Sequence, residues 1–176
     1  MSSVDPPILG FAAYSGTGKT TLLTRVIPLL REQGLQVALV KHAHHDFEPD
    51  RPGKDSYELR KAGAGQVLVA SYKLWALFRE DGDEDEPVLA DLVQHLDRRN
   101  LDLILVEGFK HEDIPKIELH RPVMGLGPIY PTDPNIIAIA TDGEISQPTE
   151  LTVLDLNNPK AVAGFIARWV VTPVDE

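Results

Sequence analysis

Residues 13–21 carry the chemistry of a polyphosphate site. They read Ala-Tyr-Ser-Gly-Thr-Gly-Lys-Thr-Thr, directly after the apolar run 8–12 and directly before a helical pattern of apolar residues. Backbone N–H groups at such a strand-to-helix turn can bind phosphate oxygens, and Gly16 and Gly18 permit backbone angles that a Cβ would block. Lys19 can place its ammonium group beside the β and γ phosphates, and the Thr20 hydroxyl can ligate magnesium. We therefore predict a nucleoside triphosphate site.

The motif departs from its usual form at one position, because Ala13 stands where the pattern has glycine. Alanine is the smallest available replacement. A turn without a ligand would account for the glycines, but not for a lysine and two threonines at this offset after a strand. The predicted nucleotide ligands in this loop are Ser15, Gly16, Thr17, Gly18, Lys19, Thr20 and Thr21, with Lys19 also a catalytic candidate.

An acidic residue follows a second apolar strand. Glu107 comes directly after Leu-Ile-Leu-Val, at the end of a segment expected to be a buried central strand. A carboxylate there, opposite the Thr20 hydroxyl, would share the magnesium ion and orient a metal-bound water. The alternative is a capping or surface glutamate beside Gly108. A charge at the end of a buried strand is costly without a cation nearby, which favours the metal and catalytic role for Glu107.

The segment 41–56 concentrates imidazoles, carboxylates and cations after the second predicted strand. Asp46 is the candidate for orienting the catalytic water, and Asp50 is a further candidate for contact with metal or water. Asp55 fits either a nucleotide contact or the N-cap of a short helix. Three histidines in this segment, His42, His44 and His45, are suited either to a transition metal or to hydrogen bonds with phosphate or loop carbonyls.

No local motif selects the base. The Asn-Lys-x-Asp run that reads guanine in many GTPases is absent, so local residues do not distinguish GTP from ATP. Asp142 follows the apolar run 136–141 and could accept hydrogen bonds from guanine N1 and N2. An ordinary Asp-Gly turn accounts for it equally well.

Composition narrows the class of protein. The chain has 176 residues, suited to one domain over 1–176, and its net charge of −10 argues against a nucleic-acid partner. There is no cysteine, so disulfides and thiolate metal sites are excluded. No apolar run approaches a membrane span, and the N-terminus lacks the basic and apolar regions of a signal peptide, so we expect a cytoplasmic protein.

Alternating strand and helix patterns predict the architecture. The expected strands are 8–13, 35–41, 66–70, 73–78, 101–106, 116–120, 136–140 and 151–156, and the expected helices are 19–32, 55–62, 87–98 and 158–170. This order predicts an α/β fold of the P-loop NTPase type, with a doubly wound, mostly parallel sheet flanked by helices. Ligands then bind beyond the carboxyl ends of the strands. Residues 111–135 are a candidate insertion for dimerisation or partner binding, and strands 66–78 and 116–120 are candidate dimer elements.

Several segments together resemble one family. Ser-Gly-Thr-Gly-Lys-Thr-Thr-Leu, Lys-His-x-His-His-Asp, the segment 53–64 and Leu-Ile-Leu-Val-Glu-Gly-Phe-Lys are similar to the MobB family of molybdopterin-guanine dinucleotide biosynthesis proteins. The resemblance implies a dimeric GTP-binding protein with weak GTPase activity and bound magnesium. It implies assistance to the guanylyltransferase MobA, which attaches GMP to molybdopterin carrying molybdenum. Whether such a protein also binds molybdopterin directly stays open.

Two other functions stay open as well. A small-molecule kinase would use the same loop, but the segment 121–134, with one arginine and four prolines, is unlike a basic lid. A non-catalytic, histidine-dependent metal carrier is the other alternative. The early loop residues 13–15 offer no lysine that could reach a partner's nucleotide, and no arginine finger is evident, so we expect slow hydrolysis. Arg51, Lys54 and Arg60 are the cations that would change this expectation.

Overall fold

The computed structural model describes residues 5–43, 48–80 and 86–172. The predictions for Asp46, His44 and His45 lie outside these residues. Two compact units divide the chain: residues 1–42 with 88–176 form the first, and residues 43–87 form the second. The assignment of 1–176 to one domain, and of 111–135 to a dimerisation or partner insertion, stays a prediction.

Helices and strands alternate along the chain much as the sequence predicts. In chain order they are β1 (Ile8–Ala12), α1 (Lys19–Glu32), β2 (Val37–Lys41), α2 (Asp55–Lys61), β3 (Gln66–Ala70), β4 (Trp75–Arg79), α3 (Leu89–Gln94), β5 (Leu103–Glu107), β6 (Lys116–His120), β7 (Ile136–Thr141), β8 (Thr152–Asp155) and α4 (Pro159–Val171). Short 3-10 helices cover Arg98–Asn100 and Pro122–Met124. One helix is shorter than predicted: α3 ends at Gln94, and Asp97 then caps the first 3-10 turn by accepting from the Arg99 N–H.

The first unit is built on a six-stranded sheet in the order β2-β5-β1-β6-β7-β8, and every pair in it is parallel. The predicted fold class is confirmed. All carboxyl ends of the strands meet at one edge, so the loop after β1 lies between the ends of β5 and β6. This order brings Glu107, at the end of β5, next to the phosphate loop.

The two faces of the sheet are covered differently. The α1 and α4 helices pack on one face, where Leu9, Leu105, Ile117, Val26 and Ile166 belong to one buried cluster. On the other face, α3 covers the side of the sheet that includes β2 and β5. The connections from β5 to β6 and from β6 to β7 contain no α-helix, so irregular chain covers the remainder of that face.

Polar side chains on β6 hold this irregular chain in place. Lys116 and Glu118 lie two residues apart on one face of the strand, and both are fully buried. Glu118 accepts hydrogen bonds from the N–H groups of Ile129 and Tyr130 at 2.8 and 2.7 Å. All five residues of β6 are buried between β1 and β7, so the prediction that 116–120 forms a dimer surface is wrong.

The second unit contains α2 and the antiparallel hairpin of β3 and β4. Its centre is Arg60, whose side chain is 7% exposed and pairs with Glu48 and Glu80 while its guanidinium lies over Tyr57 and Phe78. Several large apolar side chains of the hairpin and its turn are exposed: Leu68, Val69, Tyr72, Leu74, Trp75 and Leu77. An isolated hairpin of this size has little stability in water. Its exposed apolar side chains are therefore suited to contact with a partner.

Candidate nucleotide-binding site

Two glycines shape the loop between β1 and α1. Gly16 and Gly18 have φ angles of +80° and +101°, values that residues with a Cβ rarely adopt. Gly18 is the N-cap of α1, and no side chain caps this end of the helix. The first N–H groups of α1 are therefore available to an anion at the helix N-terminus.

Thr17 closes the turn from inside. Its side chain is buried, and its hydroxyl donates to the Tyr14 carbonyl at 2.8 Å. Ser15 and Thr21, two other predicted ligands, lie exposed on the loop and the first turn of α1. Thr17 thus holds the turn of the loop in shape, and Ser15 and Thr21 leave their hydroxyl groups exposed around it. This arrangement is suited to phosphate binding.

Lys19 extends its ammonium group back across the loop. Its Nζ donates to the carbonyls of Ala13 at 3.1 Å and Tyr14 at 3.3 Å. Burial lowers the pKa of Lys19; the Glu107 carboxylate opposes this effect, while the ammonium groups of Lys41 and Lys110 add to it. Three lysines therefore concentrate positive charge near one loop of an acidic protein, and a bound polyanion would relieve their repulsion.

Thr20 and Glu107 meet as predicted. The Thr20 hydroxyl donates to Glu107 Oε1 at 3.2 Å, and Glu107 is 6% exposed. Adjacent ligands of an octahedral Mg²⁺ with metal–oxygen distances of about 2.1 Å lie about 3.0 Å apart. A hydroxyl and a buried carboxylate at this separation fit magnesium as neighbouring ligands. Lys41, which the prediction did not include, places its Nζ 3.5 Å from Glu107 Oε2 and compensates the buried charge.

The chain leaves β5 through a glycine that has no room for a side chain. Gly108 has φ +99°, and an added Cβ would lie 2.9 Å from both Cβ and the carbonyl oxygen of His42. The His42 N–H donates to the Glu107 carbonyl at 2.8 Å, and its ring lies 5.1 Å from that of Phe109. His42 is thus part of the packing behind Glu107. Among the described residues, no group of three His, Asp or Glu side chains could hold a metal ion.

Arg121, like Lys41, is a site residue that was not predicted from the sequence. It directly follows β6, and its Nε donates to the Thr17 carbonyl at 2.8 Å. Its NH1 group pairs with Asp142, which follows β7. The guanidinium group also lies beside Gly18, whose added Cβ would be 3.6 Å from NH2. One side chain therefore connects the phosphate loop to the end of β7. The one feature of the sequence that could have indicated a role for Arg121 is its position directly after the predicted strand 116–120.

The structure adds a third account of Asp142. The Asp142 carboxylate accepts a hydrogen bond from the Arg121 guanidinium group, a contact that neither the guanine interpretation nor the turn interpretation included. This contact anchors the carboxylate beside the phosphate loop.

Asp55 is the first residue of α2 in the second unit, and the N-cap of this helix is Lys54, whose side chain makes no capping hydrogen bond. The N-cap interpretation of Asp55 is therefore wrong, while its contact with nucleotide stays a prediction. Arg60 is engaged by carboxylates of its own unit.

A parallel sheet with a glycine-bounded loop and a lysine at the start of α1 defines the chain as a member of the P-loop NTPase fold class. Residues 8–142 match the family model described as molybdopterin guanine dinucleotide synthesis protein B. The chain therefore belongs to the MobB family.

Individual relatives agree with this assignment. The molybdopterin-guanine dinucleotide biosynthesis adapter protein of Escherichia coli strain K12 is 50% identical over 165 residues, covering 93% of each chain. The protein of the same name from Haemophilus influenzae is 43% identical, covering 93% of this chain and 89% of the relative. A crystal structure of molybdopterin-guanine biosynthesis protein B (mobB) has a TM-score of 0.71 at 27% identity, covering 92% of this chain and 99% of that one.

Proposed function

We propose that the chain binds GTP and Mg²⁺, hydrolyses GTP slowly, and assists the guanylyltransferase MobA in attaching GMP to molybdenum-molybdopterin. The observation that carries the proposal is the cluster at the phosphate loop. Gly16 and Gly18 open the backbone, the Lys19 ammonium lies across the loop, and Thr20 and Glu107 lie 3.2 Å apart. Membership of a family named for molybdopterin guanine dinucleotide synthesis supports the pathway, and the guanine nucleotide in that product favours GTP over ATP in the proposal.

Slow hydrolysis is supported by the positions of the cations. Fast phosphoryl transfer needs a mobile or correctly aimed positive charge on the transferred phosphate. The Arg121 guanidinium is engaged by the Thr17 carbonyl and by Asp142, and it acts on the loop rather than on a substrate. Lys41 is paired with Glu107. The site is better equipped to hold a triphosphate than to cleave it.

An adaptor fits the structure better than a kinase does. A kinase lid has to open and close over the phosphates. The connection after β6, where a lid would lie, is bonded to the sheet through the buried Glu118 carboxylate at two backbone N–H groups. A segment fixed in this way cannot serve as a mobile lid, and it is better suited to a protein that binds a nucleotide without transferring its phosphate.

A homodimer is part of the proposal. Leu68, Tyr72, Leu74 and Trp75 expose between 61% and 91% of their surface on one short hairpin and its turn. Exposed apolar surface of this kind is typical of protein contact sites. In a twofold homodimer, the same surface on a second copy of the chain would cover it. Light scattering would give twice the chain mass for the wild type and a monomer for Trp75→Arg.

The proposal is tested by titrating the chain with GTP and ATP, each with and without Mg²⁺. We expect GTP to bind more tightly than ATP, magnesium to strengthen binding, and Lys19→Ala to abolish it. Lys160→Ala, an exposed lysine on α4, is the matched control and should bind as the wild type does. Tighter ATP binding with phosphate transfer to an acceptor hydroxyl would instead identify a kinase.

A further inference from the structure

A cavity of about 420 Å³ lies beside the first residues of the phosphate loop, within the first unit. Ala13 and Tyr14 form one wall, and the connections that follow β5 and β6, neither of which contains an α-helix, form the others. We call it the loop-side cavity. Its volume is within the range of about 300 to 1,000 Å³ that is usual for small-molecule sites.

Buried charges fix the walls of this cavity. The Lys116 ammonium group, 2% exposed, donates to Asp133 Oδ2 at 2.8 Å, and Glu118 binds the N–H groups of Ile129 and Tyr130. Burial opposes ionisation of Asp133, but hydrogen bonds from Lys116 and Asn135 outweigh it and lower the pKa of this carboxyl. Charge-assisted bonds are about twice as strong as neutral ones, so the cavity is a preformed feature of the fold.

The lining combines hydrogen-bond acceptors with apolar side chains. Asp113, Asp133 and Asn135 supply carboxylate and amide oxygens, and the Asn135 amide holds Asp113 Oδ1 at 3.2 Å. Tyr14 and Ile129 add an aromatic ring and an aliphatic side chain. Anchored acceptors beside an aromatic ring and an aliphatic side chain suit a planar heterocycle that presents ring N–H and amino groups.

Two basic side chains complete the lining. Lys110 and His111 are exposed, and neither has an ion-pair partner in the part of the chain that the structure describes. Lys110 is also close enough to Lys19 to influence its ionisation. Ala13 and Tyr14, whose carbonyls accept from Lys19, line the cavity as well. An anion held by Lys110 would therefore lie close to the phosphates of a nucleotide on the loop.

We propose that the loop-side cavity binds a planar aminoheterocycle carrying a phosphate group, next to the nucleotide and separate from it. The ring lies against Tyr14 and Ile129, its N–H edge faces Asp113 and Asp133, and its phosphate meets Lys110 and His111. The inference rests on the proposed function, since it places a second, pterin-like ligand in the unit that holds GTP.

The test is a fluorescence titration of the full chain with 6-hydroxymethylpterin monophosphate. We expect saturable binding that weakens about tenfold without the phosphate, because the charge-assisted bonds are lost. Asp113→Asn and Lys110→Gln should each weaken binding by about tenfold, the effect of one bond of this class. Both side chains are exposed, so both variants should fold. Lys160→Gln is the matched control and should leave binding unchanged.

A parallel GTP titration separates this inference from the proposed function. Asp113→Asn should bind GTP as the wild type does. If the wild type binds GTP but not the pterin phosphate, or if Asp113→Asn and Lys110→Gln bind the pterin phosphate normally, the cavity inference is wrong and the proposed function stands. Inorganic phosphate binding as tightly as the pterin phosphate would also refute it, because the ring would then contribute nothing. Failure of the wild type to bind GTP would refute the proposed function itself.

Discussion

Arg121→Ala tests whether one side chain outside the phosphate motif keeps the loop ordered. The substitution removes the 2.8 Å bond to the Thr17 carbonyl and the pairing with Asp142. Hydrogen bonds of charged groups contribute about 1.5 to 3 kcal/mol. The side chains of Arg121 and Asp142 are 30% and 19% exposed, so water replaces part of the interaction and the lower end applies. We expect the free energy of unfolding to fall by about 1.5 kcal/mol.

The same free energy determines the effect on nucleotide binding. If the ordered loop becomes about tenfold less populated, the apparent Kd rises about tenfold. GTP and ATP should be affected equally, because Arg121 acts through the loop that holds the phosphates of both. Arg121→Lys keeps the charge but lacks the planar, forked guanidinium group that meets the Thr17 carbonyl and Asp142 in different directions, so its effect should be intermediate.

The assay combines isothermal calorimetry of both nucleotides with urea unfolding in their absence. Arg168→Ala, an exposed arginine on α4, is the matched control and should change neither quantity by a measurable amount. Unchanged Kd values for Arg121→Ala would refute the reasoning. So would a loss confined to GTP, because Arg121 would then act on the base instead of the loop.

Four further predictions concern the same site. Asp142→Asn should weaken GTP binding more than ATP binding in competition titrations, because an amide cannot accept from both guanine N1 and N2; equal losses would leave Asp142 only its pairing with Arg121. Glu107→Gln should remove most of the strengthening of GTP binding by Mg²⁺, measured with and without the metal, and undiminished strengthening would place the metal elsewhere. Gly108→Ala should destabilise the chain by about 2 to 4 kcal/mol in urea unfolding, since it strains a positive φ and lies 2.9 Å from His42, whereas Gly127→Ala, with open space around it, should be close to neutral. Nucleotide binding should raise the lowered pKa of Lys19, so calorimetry across the alkaline range below the usual lysine value of about 10.4 should detect proton uptake that is absent near neutral pH and in Lys19→Ala.

The lowered pKa of Lys19 also has a consequence for the protein without nucleotide. Between the folded and the unfolded pKa, the unfolded chain binds more protons at this group. The contribution of Lys19 to stability therefore rises with pH in that alkaline window and is unfavourable below it. A loop that is destabilised by its own lysine in the absence of phosphate is consistent with a site built for a polyanion.

Local patterns predicted the elements and the loop chemistry. The α1 helix has the predicted bounds because Gly18 and Gly34 mark its ends and apolar residues recur along one face. All six strands after β2, which were predicted from apolar runs or alternation, were found within two residues of their predicted bounds. The contact of Thr20 with Glu107 was predicted correctly because parallel strands end at one edge of the sheet, so the loop after β1 that leads to Thr20 lies beside the end of β5.

Apart from Thr20 and Glu107, only the tertiary structure decided which distant side chains meet at the site. The order β5-β1-β6 places Arg121 beside the loop, and the pairing of β6 with β7 brings Asp142 to Arg121. Strand order is a property of non-local packing and leaves no periodic signal in the chain. Lys41 and Lys110 became part of the site for the same reason, and strand order also produced the loop-side cavity between the connections that follow β5 and β6. The sequence by itself determined what the loop is made of, because phosphate binding needs residue types at short, local spacing. The fold decided which cations and carboxylates surround it, because through-space distances follow from strand order.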